Sequence, residues 1–261
     1  MNKDKLNETR MNTFGTPMKI IQYNNSRDVR IKFLDEYGYE KDVKYDAFKN
    51  GNIYNPYDKE VLGVGCSGLA RCTDYPNIHT IWRGMLNRCY NKKSDNYNYY
   101  GMKGVNVCSE WLCFENFVKW YNKNYYKLPN DEKLQIDKDL LFNNKLQNKT
   151  YSPQNCVLLP VYINNLITVH AKRKEETKNI PIGVKEKTLK NGDKKYQTGI
   201  TINKKYIHLG TFETADEAFE VYKTEKEKFI KLVADKYKDF IPNVIYEALY
   251  NYKINPFQSG Q

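Results

Sequence analysis

An α+β fold is predicted for this chain on three observations. The apolar runs Lys19-Ile20-Ile21-Gln22-Tyr23 and Val29-Arg30-Ile31-Lys32-Phe33 are separated by the turn residues Asn24-Asn25-Ser26, the pattern of a β-meander. Between Pro76 and Ile167, stretches with apolar residues at three-to-four spacing take turns with short β-branched runs. Beyond Ile182, three strand-like runs precede one long amphipathic segment. These shifts divide the chain into residues 1–70, 71–170 and 178–261.

Forty-two basic against 31 acidic residues give a formal net charge of +11, and the excess is uneven: residues 171–210 hold eleven basic and four acidic residues, residues 1–70 eleven and ten. A basic excess that peaks in one short segment is the footprint of a polyanion binder, nucleic acid before others, with a solvated lysine-rich surface as the plainer alternative. No apolar run approaches the roughly 18 residues that cross a bilayer. Met1 to Arg10 is polar, unlike a secretory leader, so a bacterial cytoplasm and no membrane partner are expected. Six cysteines with no CxxC pair point to reduced, packed thiols before a zinc site.

In the first segment Tyr37-Gly38-Tyr39 turns the meander and Asn50-Gly51-Asn52-Ile53-Tyr54-Asn55-Pro56 leads out of it. The segment resembles the small β-barrel modules that precede nuclease-like regions in phage proteins. That resemblance implies a β-barrel-like domain with an accessory binding role or a capping role.

In the second segment Pro76 to Asn91 reads as a helix, with either Ile81, Met85 and Tyr90 or Trp82, Met85, Leu86 and Cys89 at three-to-four spacing. Gly101 to Gly104 makes a loop, Val105 to Cys108 a short strand, and Glu110 to Tyr121 a second helix with Trp111, Phe114, Phe117, Val118 and Tyr121 inward. Trp82, Trp111 and Trp120 are expected in the core. A strand over Leu134 to Asp137, a polar loop to Thr150, a strand over Asn155 to Leu159 and a helix over Val161 to Ile167 complete the segment.

Four spaced motifs run through it: Trp82-x2-Met85-x2-Arg88-Cys89-Tyr90, Tyr100-Gly101-x2-Gly104-Val105-x-Val107-Cys108, Ile136-Asp137-Lys138-Asp139, and Tyr151-Ser152-Pro153-x-Asn155-Cys156 with Asn164-Asn165 behind it. Over residues 80–167 they resemble the HNH-type endonuclease segments of phage genomes. The resemblance implies an HNH-like ββα-metal module holding one divalent ion, magnesium or manganese, between first strand and helix. It makes Asp137 a metal ligand or base-orienting residue, Asn155 the asparagine that ties the loop, and Asn164 the helix-borne metal ligand, with Asn165 able to substitute. Asp139 is an additional carboxylate.

Lys138 stands where that family has its general-base histidine. Such chemistry needs hard oxygen ligands for the ion and a base for water. A lysine is cationic at neutral pH, so Lys138 suits phosphate binding or transition-state stabilisation, leaving the base work to Asp139 or to metal-bound water. The other reading of Asp137-Lys138-Asp139 is a charge cluster on a retired nuclease scaffold.

In the third segment Ile182 to Lys187, Lys195 to Ile202 and Lys204 to Phe212 read as strands, joined by Lys190-Asn191-Gly192-Asp193 and Asn203-Lys204. Thr214 with Glu217 forms a capping box for a helix over Ala215 to Lys236, whose stripe is Ala215, Ala218, Phe219, Tyr222, Phe229 and Val233. A short helix beyond Asp239 and a disordered tail from Asn255 to Gln261 follow. If Ile200, Ile202, Ile207 and Leu209 face the helix, strand alternation turns Gln197, Thr201, Tyr206 and His208 outward beside Lys185, Lys187, Lys195 and Lys204.

The strings Gly183-Val184, Tyr196-Gln197-Thr198-Gly199-Ile200, Ile207-His208-Leu209-Gly210-Thr211-Phe212 and Thr214-Ala215-Asp216-Glu217-Ala218-Phe219-Glu220-Val221-Tyr222 resemble the Apetala-type DNA-binding domain. That resemblance implies a three-stranded sheet packed on one helix, with Lys185, Lys187, Tyr196, Thr201, Tyr206 and His208 at DNA-contacting positions. Gly199 departs from relatives that carry a larger contact residue there. A helix-backed sheet that only packs on the middle segment is the alternative.

Together these readings imply a metal-dependent, homing-type DNA endonuclease or nickase acting on double-stranded DNA. The rival is an inactive nuclease-derived protein, either a DNA-binding regulator or a phage-encoded inhibitor docked on a host nucleoprotein complex. RNA binding through the same patch is a third reading.

Overall fold

Alternation along β3 (Asp28–Phe33) buries Val29, Ile31 and Phe33 and leaves the charged residues between them in solvent. Its neighbours are β1 (Thr9–Met11), β2 (Pro17–Asn25) and β4 (Glu40–Val43), arranged β1-β2-β3-β4 with every pair antiparallel. The computed structural model describes residues 5–142, 149–168, 179–202 and 205–257. Its elements are mixed helix and sheet, an α+β chain.

The chain forms two compact units, Met1–Asn91 with Val107–Trp120 and Lys92–Asn106 with Tyr121–Gln261. In the first, the meander is an open sheet and not the β-barrel the sequence suggests, because β1 and β4 are short edge strands that do not meet. Met18, Ile20, Val29, Ile31 and Phe33 pack with Phe48, from α1 (Tyr45–Lys49), and with Ile53. Beside this core, buried Asn12 donates to the buried Asp58 carboxylate at 2.8 Å, and Thr16 donates to its other oxygen.

The aromatic half of the first unit is built on α2 (Pro76–Tyr90), which begins with proline at a position where the missing N–H costs nothing. The Trp82 indole donates to the Trp111 carbonyl at 2.7 Å, and Trp82 packs on Phe114 at 5.2 Å. Trp111, Phe117 and Trp120 complete the cluster, as expected of core tryptophans. After the two-residue strand β5 (Asn106–Val107), the expected helix over Glu110 to Tyr121 is interrupted. Ser109–Leu112 is a 3₁₀ turn and α3 spans Phe114–Asn124. The cause is tertiary: Cys66 pairs with Cys113, its N–H donating to the Leu112 carbonyl and its own carbonyl accepting from Phe114.

The second unit contains β6 (Leu134–Asp137), β7 (Thr150–Tyr151) and β8 (Val157–Pro160), followed by α4 (Val161–Ile167). β6 and β8 pair antiparallel with Asp137 opposite Val157 and Leu134 opposite Pro160. Its other sheet is β9 (Val184–Thr188), β10 (Lys194–Ile202) and β11 (Lys205–Phe212), with β10 in the centre. Behind it lies α5 (Ala215–Tyr237), whose Thr214/Glu217 capping box is formed as predicted, and then α6 (Asn243–Tyr250).

The tail departs from expectation up to Phe257. The Pro256 carbonyl accepts from the Ile182 N–H at 2.9 Å, and just before the tail Tyr252 and Ile254 are buried. No helix among the described residues is long and apolar enough to cross a membrane.

Candidate nucleic-acid interface

Asp137 ends β6 and is 4% exposed. Its Oδ1 accepts from the N–H groups of Asp139, at 3.0 Å, and Leu140, at 2.7 Å. The carboxylate thereby caps the 3₁₀ turn Leu140–Phe142, against which α6 packs. Lys138 is 7% exposed, places its Nζ 2.6 Å from Asp139 Oδ1 and stands 5.9 Å from the Tyr151 ring centre. Burial is the main cause that pushes the Asp137 carboxyl up, to about 6, with the Asp139 charge adding to it and the two N–H donors and Lys138 opposing. Burial also raises the Asp139 carboxyl, against the pull of Lys138.

Asn155 donates to the Thr150 carbonyl at 3.0 Å. Asn164 on α4 donates to Gln135 at 2.8 Å, near the solvent. Asp137 and Asn164 therefore serve different partners, one a buried turn and the other a surface side chain. A divalent ion on Asp137 and Asp139 would compete with an ammonium already in ion-pair contact, and ammonium and divalent cation repel at such range. No group of three or more His, Cys, Asp or Glu among the described residues is placed to hold a metal. In this arrangement Asp137 Oδ1 is taken up by two N–H donors and Asp139 Oδ1 by the Lys138 ammonium.

The second candidate surface is the face of the β9–β11 sheet turned away from α5. The register puts Lys185 opposite Gln197, Lys187 opposite Lys195, and Thr201 opposite Tyr206, all on one face with His208, which pairs with Gly199. Lys185, Lys187, Thr201, Tyr206 and His208 are exposed. Lys195 forms an ion pair with Glu213, whereas Lys185 and Lys187 have no ion pair among the described residues. Lys204 lies outside the described residues.

Tyr196 does not join this face. It pairs with Glu186 and Phe212 on the opposite side, and its hydroxyl donates to Glu186 at 3.4 Å.

No family model, curated protein or solved structure matches this chain. The interface accordingly rests on its own geometry. Gln197, Thr201, Tyr206 and His208 share a face with Lys185, Lys187 and Lys195, while buried Asp137 and Lys138 and half-buried Asp139 form a separate cluster.

Two residues of the interface are not evident from alternation. A bulge leaves Leu209 unpaired, because Thr198 faces Gly210 and Gly199 faces His208. The shift turns Thr211 outward, where it accepts from Gln197 at 3.4 Å. Gly199 is the other, since a Cβ there would overlap the Tyr206 ring and stand 2.5 Å from the Ile207 carbonyl. Tyr206 thus fills the space that a larger residue at 199 would take.

Proposed function

We propose that this chain binds duplex DNA through the outward face of its C-terminal sheet, and that its nuclease-like middle segment is a scaffold closed by Lys138 instead of by a metal ion. The observation that carries the reading is the composition of that face. Lys185 and Lys187, which have no ion pair among the described residues, stand beside exposed Tyr206, His208 and Thr201, with no acidic residue at the strand positions they share. Lysines of this kind position a protein on phosphates, and polar or aromatic side chains on strands reach base edges in a groove. The resemblance to the Apetala-type domain selects duplex DNA over RNA.

An endonuclease is the second reading, favoured by one observation. The Asp137 carboxyl, pushed up to about 6, lies in the range where a general base works at neutral pH. Its burial keeps it from water and substrate in this conformation.

Retention of duplex DNA as a function of salt, together with nicking of supercoiled plasmid in magnesium or manganese, tests both readings. The wild type is expected to retain duplex without nicking, and Lys185→Ala or Lys187→Ala each to reduce the slope of log affinity against log salt by roughly 1. Failure to retain duplex at low salt, or stronger retention of RNA, refutes the DNA reading. Metal-dependent nicking lost in both Asp137→Ala and Asn164→Ala replaces the scaffold reading with the endonuclease.

A further inference from the structure

Lys226 falls on the apolar stripe of α5, four residues after Tyr222 and three before Phe229, where helical spacing calls for an apolar side chain. It has no hydrogen bond or ion pair among the described residues, and burial pulls its ammonium below the usual lysine range. The Tyr222 hydroxyl is likewise without a partner among the described residues, and burial raises it. Both side chains line a cleft of about 780 Å³, whose other walls include Tyr162 and Asn165 from α4, Phe229, and the edge of β10 through Thr201.

The cleft follows from the sheet. β9 stops pairing at Val184 opposite Thr198, so β10 from Gly199 onward has β11 on one side and, among the described residues, no strand on the other. Gly183, which lines the cleft, lets the Tyr222 ring pack directly on its backbone, where a Cβ would overlap the ring. Two donor groups one helical turn apart, held in a half-buried space with aromatic walls, offer a charge-assisted seat for an anion and flat surfaces for a ring.

We infer that this cleft binds a nucleoside monophosphate unit, with its phosphate on Lys226 and Tyr222 and its base against Tyr162 and Phe229. The choice of nucleotide over other ring-bearing anions rests on the DNA-binding reading of the adjoining face, which shares Thr201 with the cleft. A free mononucleotide and an unpaired nucleotide of a DNA strand present the same chemistry. Unstacked bases are commonly held by aromatic side chains in this way.

The test is calorimetric titration of the full chain with the four deoxynucleoside 5′-monophosphates, the corresponding nucleosides and inorganic phosphate, followed by a single-stranded oligonucleotide as competitor. Wild type is expected to bind at least one monophosphate saturably, more tightly than its nucleoside and more tightly than phosphate. Lys226→Met is expected to weaken that binding at least tenfold, Tyr222→Phe several-fold, and Lys226→Arg to restore most of it. Displacement by the oligonucleotide assigns the site to a strand, and no displacement assigns it to free nucleotide.

Absence of saturable binding at millimolar nucleotide, equal binding by Lys226→Met, or equal affinity for phosphate and nucleotide overturns the inference. Should Lys226→Met fail to fold, Tyr222→Phe, which keeps the ring, carries the same test. Duplex retention by the wild type, measured in parallel, reports on the sheet alone. Retention without nucleotide binding removes only the cleft, and nucleotide binding without retention removes only the duplex reading.

Discussion

At Asp137 the carboxyl is held near 6 by burial first and by Asp139 second, while Leu140, the Asp139 N–H and Lys138 pull the other way; Cys156 lies within reach of the same charges. An aspartate in an unfolded chain titrates near ~3.9. Protonation therefore favours the folded state. The advantage is complete below about pH 4 and is lost as pH rises through 6, with a ceiling on the order of 2–3 kcal/mol. Asp137→Asn is expected to flatten the stability profile across that window, as measured by urea denaturation at a series of pH values. A wild-type profile no steeper than the variant's would contradict the assignment. Lys138→Met leaves buried Asp137 and half-buried Asp139 without their cation and is expected to cost about 3 kcal/mol, with Lys138→Arg milder. None of this was legible in the motif Asp137-Lys138-Asp139, because burial and the choice of partner depend on strands and helices far along the chain.

At the scale of elements, local chemistry was the legible part. The capping box at Thr214 and Glu217, the turn residues around Asn191-Gly192 and the apolar periodicity of α5 each depend on neighbours within a few residues, and each is formed or bounded as the sequence suggests. Two features escaped for the same physical reason. The break before α3 comes from bonds between Cys66 and residues 112–114, and the bulge at Leu209 is a matter of pairing register, which no single strand carries. β1 is not announced in the sequence, because Thr9–Met11 has no apolar alternation. Register also makes a prediction at this scale. Gly199→Ala forces Tyr206 aside and presses on the Ile207 carbonyl, which is backbone and yields least. A loss of about 1–3 kcal/mol and weaker duplex retention are expected together. Weaker retention with unchanged stability would mean that Tyr206 moves freely and the β10–β11 pairing does not.

The whole molecule is divided in a way that sequence segments do not follow, since the first unit takes residues 107–120 back after the chain has left it at Asn91. Those returning residues supply Trp111, Phe114, Phe117 and Trp120 to Trp82, and the backbone bonds to Cys66. A fragment ending at residue 91 would expose the apolar face of α2, whereas one ending at residue 124 keeps it covered. The longer fragment is expected to unfold cooperatively with a near-ultraviolet tryptophan signal, and the shorter one to lack both. Cooperative unfolding of the shorter fragment would show that the meander stands without its aromatic half. During translation, at roughly 5–20 residues per second, the N-terminal part must wait for residues 107–120 to leave the ribosome before its aromatic core can close. For that interval α2 is an exposed apolar helix, and a chaperone-sensitive one.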